Sequence, residues 1–152
     1  MIEEGETVPK FQLEDSDGNM VKSSQFKGKK FVVYFYPRDF TPGCTTEADE
    51  FSKDYKKFQK EGIEIIGISK DDVTSHRKFC DKMRIPYVLL ADVETEVCKK
   101  FGVWGLKKFM GREFMGINRS TFLVNEKGKV FKVFPKVKPK GHSKEVLEEF
   151  QK

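Results

Sequence analysis

Cysteine is scarce in this chain, which has three cysteines among its 152 residues. Three scattered cysteines cannot form the dense disulfide framework of a small secreted protein, so we expect a reducing, cytoplasmic setting. The acidic opening residues predict neither a signal peptide nor an anchor, and no apolar stretch approaches the length of a membrane span. We therefore expect no membrane partner.

Metal-site and phosphate-site signatures are missing too. The two histidines, His76 and His142, stand without cysteines, histidines or carboxylates at metal-ligand spacing, so we predict solvated histidines, no metal and no other cofactor. The chain shows no glycine-rich phosphate loop and no Ser/His/Asp pattern. No repeat or linker divides it, and its length suits one domain, which we assign to residues 1–152.

The net charge of +5 raises the question of nucleic-acid binding. Lysines and acidic residues alternate through most of the chain, and only the stretch from Lys129 to Lys144 is unbalanced. We interpret that stretch as a solvated surface and predict no nucleic-acid partner. A basic nucleic-acid-binding module is the alternative from another functional class.

Apolar spacing predicts strands that alternate with helices, followed by a terminal hairpin and helix. This order indicates an α/β fold, in which a central mixed sheet carries helices on both faces and an N-terminal hairpin. The stretch between Gly102 and Ser120 is predicted to be irregular. Strands are predicted at residues 11–14, 20–22, 30–36, 64–69, 88–91, 120–124 and 130–134, and helices at residues 45–60, 73–83, 94–101 and 143–150.

The densest chemistry lies between Pro37 and Glu47, directly after an apolar run that ends at Tyr36. The residues read Pro-Arg-Asp-Phe-Thr-Pro-Gly-Cys-Thr-Thr-Glu, so a strand leads through a turn into a helix with Cys44 in its first turn. Free N–H groups and the positive end of the helix dipole favour a thiolate there. Cys44 is therefore predicted to be a nucleophile, whereas a lone cysteine elsewhere is usually a small buried apolar residue.

Three neighbours suit the attack of a thiolate on a substrate whose leaving group gains negative charge. Thr41 can place its hydroxyl near the sulfur, and Gly43 lets backbone N–H groups approach closely. Arg119 keeps its charge and has five donors, which suffice for both the thiolate and the substrate. Alone, Thr41 would be interpreted as a helix cap and Arg119 as a solvated charge.

The arrangement Pro37-x-x-x-Thr41-x-x-Cys44, with Arg119 in Arg-Ser-Thr-Phe-Leu-Val, resembles the active-site motif of peroxiredoxins. The segments Thr-Pro-Gly-Cys-Thr-Thr-Glu, Gly-Val-Trp-Gly and Phe-Met-Gly-Ile-Asn-Arg-Ser-Thr-Phe resemble the Q-type subgroup, also called bacterioferritin-comigratory proteins. The resemblance runs from about Val8 to the C-terminal helix. It implies a thioredoxin-like fold and thiol-dependent reduction of hydrogen peroxide and alkyl hydroperoxides.

The same resemblance implies roles for individual residues. Cys44 would become a sulfenic acid, Thr41 and Arg119 would stabilise the substrate and the transition state, and Pro37 would shield the intermediate from water. Glu47 would orient Arg119, because Q-type proteins carry glutamate at this position. Glu47 has a second interpretation, in which it satisfies N–H groups of the first helical turn.

The resemblance also bears on how the oxidised cysteine is reset. Many Q-type proteins have a resolving cysteine five residues along the same helix, where this chain has Asp49. A second arrangement places it on the next helix, which implies a Cys44–Cys80 disulfide formed after local unwinding. A thioredoxin- or glutaredoxin-like protein would reduce it. Cys80 as an inert packing residue is the alternative, and Cys98 is predicted to be structural filler.

Further alternatives remain open at this stage. If neither Cys80 nor Cys98 resolves, the chain would be a one-cysteine peroxidase that an external thiol reduces directly. A thioredoxin-like disulfide reductase is disfavoured, because Thr41 stands where a Cys-x-x-Cys motif needs a cysteine. Q-type relatives are often monomers, so we expect a monomer, with a dimer as the alternative. Five aromatic residues either line an apolar approach to Cys44 or belong to the core: Phe101, Trp104, Phe109, Phe114 and Phe122.

Overall fold

A seven-stranded mixed sheet lies at the centre of the protein, which a computed structural model describes over residues 1–152. Its strands are β1 (Gln12–Asp15), β2 (Met20–Lys22), β3 (Lys30–Phe35), β4 (Ile63–Ser69), β5 (Val88–Ala91), β8 (Ser120–Val124) and β9 (Val130–Phe134). Two further strands, β6 (Trp104–Phe109) and β7 (Arg112–Ile117), lie outside this sheet. The strand order is β2-β1-β5-β4-β3-β8-β9. Strands β3, β4 and β5 run parallel, whereas β1 and β8 run antiparallel to each of their neighbours.

Helices cover both faces of this sheet. They are α1 (Pro42–Lys60), α2 (Val73–Met83), α3 (Glu96–Phe101) and α4 (His142–Phe150). Successive strand residues point to opposite faces, so Phe31, Val33 and Phe35 of β3 pack in a cluster with α3. Val32 and Tyr34 pack in a second cluster with α1, α2 and α4. The predicted mixed sheet with helices on both faces and an N-terminal hairpin is confirmed.

Helix α1 begins three residues earlier than the apolar spacing predicts, at Pro42. Proline suits the first helical position, because its φ is already helical and its missing N–H would have no partner there. Cys44 therefore lies in the first turn, as predicted. No helix combines the length and the apolar character that crossing a membrane requires.

The prediction of an irregular stretch between Gly102 and Ser120 is wrong. This stretch forms a separate antiparallel hairpin of β6 (Trp104–Phe109) and β7 (Arg112–Ile117). Each strand contains a glycine, and charged and apolar residues do not alternate along them, so the period-two pattern of a strand is obscured. Most residues of the hairpin are exposed.

The prediction of solvated histidines is also wrong, because His76 and His142 are both fully buried. The Nδ1 of His142 faces Glu145 at 2.5 Å, which leaves Nε2 to accept a hydrogen bond from the Thr121 hydroxyl at 2.8 Å. His76 places Nε2 2.9 Å from the Leu90 carbonyl. Each ring thus has a partner on a distant element, Thr121 for His142 and Leu90 for His76, and sequence spacing does not reveal such partners.

The burial of His142 predicts a pH-dependent contribution to stability. Burial lowers the pKa of His142, although Glu145 raises it in part. The unfolded state therefore binds more protons below the ordinary histidine pKa of about 6.5, and stability is lost as the pH falls through that value. In H142Q, we expect the destabilisation relative to wild type to be largest at neutral pH. At pH 5 it should shrink, by no more than about 2 kcal/mol.

Urea unfolding of both proteins across this pH range measures that difference. Subtracting the two unfolding free energies at each pH cancels the contributions of the other titratable groups, because both proteins share them. A gap that stays constant between pH 5 and pH 7 would contradict this account of His142.

Candidate active site

Strand pairing places Arg119 at the start of helix α1. In the antiparallel pair of β3 and β8, Phe35 lies opposite Ser120, so Arg119 lies just beyond the end of β3. The chain turns there towards α1, and Thr41 is the last residue before the helix. Its extended backbone directs its carbonyl to accept the N–H of Thr45 at 2.9 Å. The helix start and Arg119 are thus fixed by the same two strands.

Cys44 is buried in the first turn of α1, with 1% of its surface exposed, and its sulfur contacts Arg119. Arg119 donates from Nη2 to Cys44 Sγ at 3.3 Å and from Nη1 to Glu47 Oε1 at 2.8 Å. Burial opposes the charge of Arg119, but Glu47 and Cys44 outweigh that effect and raise the pKa of Arg119. The guanidinium is therefore a permanent cation that bridges the sulfur and the carboxylate.

Glu47 lies one helical turn after Cys44 and is 1% exposed. Its only side-chain hydrogen bond is to Arg119, and its other oxygen, Oε2, has no partner. Burial raises the pKa of Glu47 to about 7, although Arg119 acts in the opposite direction. The sequence left two interpretations of Glu47, and the geometry shows the one in which Glu47 pairs with Arg119.

Gly43 and Thr41 complete the surroundings of the thiol. A Cβ at position 43 would lie 3.0 Å from Arg119 Nη2 and 3.3 Å from Pro139 Cγ, so a side chain there would crowd the guanidinium. The Thr41 hydroxyl donates to the Arg38 carbonyl at 2.8 Å. Because its hydrogen is used in this bond, the oxygen of Thr41 remains available as an acceptor. Pro37 lies half-buried at the start of the loop.

Side chains fasten the loop before α1 to helix α2. Asp39 is buried and accepts hydrogen bonds from Tyr36 at 2.6 Å and from Ser75 at 2.8 Å, and it faces His76 Nδ1 at 2.8 Å. Asp71 also joins this group, since one of its oxygens accepts the N–H of Asp39 at 2.9 Å. The expectation that His76 has no carboxylates near it is therefore wrong. These contacts form a buried network that fixes the loop.

An aromatic contact adds to this attachment. Phe40 packs edge-on against Phe79 of α2, with ring centroids 5.1 Å apart. The φ of Phe40 is +67°, a left-handed backbone conformation that costs a bulky residue about 1–3 kcal/mol. The residue after Phe79 is Cys80, so the loop before Cys44 rests on the part of α2 that carries the second cysteine.

The sheet separates Cys98 from the other two free cysteines, Cys44 and Cys80. Cys44 belongs to the cluster with α1, α2 and α4, and Cys80 packs against that cluster while remaining partly exposed. Burial raises the pKa of Cys80, which keeps its thiol protonated. Cys98 is fully buried in the cluster on the opposite face, and burial together with Asp92 raises the pKa of Cys98. Cys98 thus lies in the core, as its spacing predicts.

Sequence reasoning missed Lys107, a second cation near Cys44. It lies on β6, and its Nζ donates to the Ile117 carbonyl at 2.9 Å. Burial and the charge of Arg119 lower the pKa of Lys107, while the attraction of Cys44 raises it. Lys107 therefore interacts electrostatically with both residues. Its neighbour Lys108 points to the other face of the hairpin, where it pairs with exposed Glu113. No signal pointed to Lys107, because the hairpin itself was not predicted.

The five candidate aromatic residues divide into two groups, and neither forms a buried channel to Cys44. Phe101 and Phe122 are fully buried in the cluster on the opposite face of the sheet, and Trp104 packs against that cluster. Phe109 and Phe114 lie on the hairpin, 67% and 45% exposed. For the first three, core packing is the correct interpretation.

Comparison with known proteins places this site in a family. Residues 5–133 match the model of the AhpC/TSA family. Among curated proteins, the chain is 46% identical to the peroxiredoxin Bcp of Bacillus subtilis over 147 residues, which cover 97% of this chain and 94% of that protein. It is 39% identical to the peroxiredoxin Bcp of Escherichia coli K12, over 96% of this chain and 94% of that protein.

Solved structures agree with this assignment. The PrxQ C-to-S mutant of Xylella fastidiosa is 32% identical and superposes with a TM-score of 0.94, covering 99% of this chain and 96% of that one. The bacterioferritin comigratory protein of Xanthomonas campestris, described in work on alkyl peroxide reduction, is 37% identical with a TM-score of 0.88, over 93% and 90% of the two chains. The predicted thioredoxin-like fold is confirmed. The chain therefore belongs to the AhpC/TSA family and is a peroxiredoxin of the Q type, a thiol-dependent peroxidase.

Proposed function

We propose that Cys44 is the residue that reduces the peroxide, and that it acts on hydrogen peroxide and small alkyl hydroperoxides. The observation that carries this assignment is the contact between Arg119 Nη2 and Cys44 Sγ at the N-terminus of α1. The guanidinium and the helix dipole both favour the thiolate. The thiolate attacks the near oxygen, the O–O bond breaks, and the sulfur is oxidised to a sulfenic acid while the peroxide is reduced to an alcohol or water.

Neighbouring groups stabilise the developing charge. Thr41 accepts the hydrogen of the peroxide, because its own hydrogen is used by the Arg38 carbonyl. Backbone N–H groups at Gly43 and Cys44 and the guanidinium of Arg119 donate to the oxygens as the charge moves to the far one. Pro37 restricts access of water to the oxidised sulfur, and Glu47 holds Arg119 in place.

We assign resolution of the sulfenic acid to Cys80, which forms a disulfide with Cys44. Both residues border the same apolar cluster, whereas the sheet stands between Cys44 and Cys98. A protonated Cys80 thiol does not itself compete for peroxide. Two solved structures of Xanthomonas campestris PrxQ carry serine in place of cysteines that are separated by the same number of residues as Cys44 and Cys80.

The proposal extends to partners and setting. All groups of the site come from one chain, so a monomer suffices for the chemistry. The product disulfide needs two electrons from a dithiol, for which a thioredoxin- or glutaredoxin-like protein is the matching reductant. A cytoplasm that keeps such proteins reduced is the matching location.

Replacing Cys44 tests the central assignment. In C44S we expect peroxide consumption in the presence of a thiol reductant to fall to the uncatalysed rate, because serine supplies no thiolate. C98A is the matched control and should retain the activity, since Cys98 lies on the opposite face of the sheet. Peroxide consumption by C44S at the wild-type rate would refute the assignment.

Peptide mapping without reductant tests the role of Cys80. After one equivalent of peroxide, wild type and C98A should contain a Cys44–Cys80 disulfide. C80S should instead hold a sulfenic acid that a dimedone-type reagent traps, and it should over-oxidise as the peroxide dose rises. A disulfide between Cys44 and Cys98 would reassign resolution, and a stable sulfenic acid in wild type would indicate a one-cysteine enzyme.

Two adjacent lysines test the electrostatics of the site. We expect K107M to slow the reaction with peroxide at neutral pH by roughly fivefold, corresponding to about 1 kcal/mol for one partly screened charge. K107R should keep most of the rate. K108M removes the same charge from the other face of the hairpin and should leave the rate unchanged. Stopped-flow rates at low and high salt measure these effects, and equal losses in K107M and K108M would exclude a local role for Lys107.

A further inference from the structure

Half of the Glu47 carboxylate has no partner. Oε1 accepts a hydrogen bond from Arg119 at 2.8 Å, but Oε2 is buried without any donor. An ionised oxygen in that position loses the hydrogen bonds that water would supply, which is costly. A protonated carboxyl group avoids much of this cost, because the proton sits on Oε2 and Oε1 still accepts from Arg119.

The groups around Glu47 contain a single cation. Cys44 and Glu50 flank Glu47 on α1, Tyr34 and Tyr87 approach from the sheet side, and Arg119 comes from the segment before β8. Burial raises the pKa of both tyrosines, so they stay neutral. Arg119 therefore faces two acids, the thiol of Cys44 and the carboxyl of Glu47, and its one charge compensates one anion well.

We propose that Glu47 changes its protonation with the redox state of Cys44, holding a proton while Cys44 is a thiolate and releasing it when the sulfur becomes uncharged. Arg119 then faces one full negative charge at each stage of the cycle. Burial, which raises the pKa of Glu47 to about 7, places this exchange in the neutral range. Glu47 acts through Arg119 and is a positioning residue.

The proton balance follows from the proposed chemistry of Cys44, on which this inference rests. A thiolate, hydrogen peroxide and one proton give a sulfenic acid and water, and condensation with the Cys80 thiol then gives a disulfide and a second water. The leaving oxygen takes up the proton. If Glu47 releases a proton in the same turnover, the net uptake from solvent falls below one. Reduction of the disulfide by a dithiol restores the thiolate and returns the proton to Glu47.

Counting protons during oxidation tests this inference. Wild type, E47Q and E50Q are mixed with one equivalent of hydrogen peroxide in weak buffer with a pH indicator, and peroxide loss is followed in parallel. We expect E47Q to take up one proton per disulfide near neutral pH, and wild type and E50Q to take up clearly less. As the pH rises above about 7, Glu47 has no proton left to release, so the wild-type uptake should approach that of E47Q. Equal uptake by wild type and E47Q at every pH would overturn the inference.

An infrared difference spectrum of wild type alone removes the dependence on variants. Oxidation should abolish a protonated-carboxyl C=O band, and an unchanged band would also overturn the inference. The function itself is tested separately, because failure of Cys44 as nucleophile appears as unconsumed peroxide, whatever the proton count.

Discussion

The guanidinium of Arg119, placed between a sulfur and a carboxylate, is the interaction on which the active site depends. It contacts Cys44 and Glu47 through different nitrogens, so its position fixes both side chains relative to the helix start. The constraint comes from the sheet, because the pairing of Phe35 with Ser120 brings Arg119 to the loop that leads into α1. A slip of one residue in this pairing would point Arg119 to the other face of the sheet.

Close packing refines this arrangement. Gly43 leaves room for Arg119, and a methyl group there would need the guanidinium to move by several tenths of an ångström. A contact of 3.3 Å between nitrogen and sulfur tolerates little displacement before the charge-assisted bond weakens. A glycine within the first turn of a helix costs stability relative to alanine, about 1 kcal/mol, so its presence follows from the site rather than from the helix.

Features that depend on a local sequence pattern could be predicted from the sequence. Features that depend on contacts between distant elements could not. Pro37, Thr41, Gly43 and Cys44 lie within one short motif, and the apolar spacing located every strand of the central sheet to within two residues. The burial of His76 was missed, because its partners Asp39 and Leu90 come from two other segments. Lys107 was missed for a similar reason, since its nearness to Cys44 results from a hairpin whose strands lack regular alternation.

The proposed disulfide step requires one side of the active-site loop to stay in place and the other side to unwind. Asp39 and Phe40 hold the loop to α2 through buried hydrogen bonds and an aromatic contact. Cys44, on the far side of the loop, is held by the first turn of α1, by Arg119 and by its packing in the apolar cluster. Oxidation to an uncharged sulfenic acid removes the attraction between the sulfur and Arg119, so the turn that carries Cys44 loses part of its support. In this proposal the loop would stay attached to α2 while that turn unwinds, and Cys44 would remain on the side of the sheet where Cys80 lies.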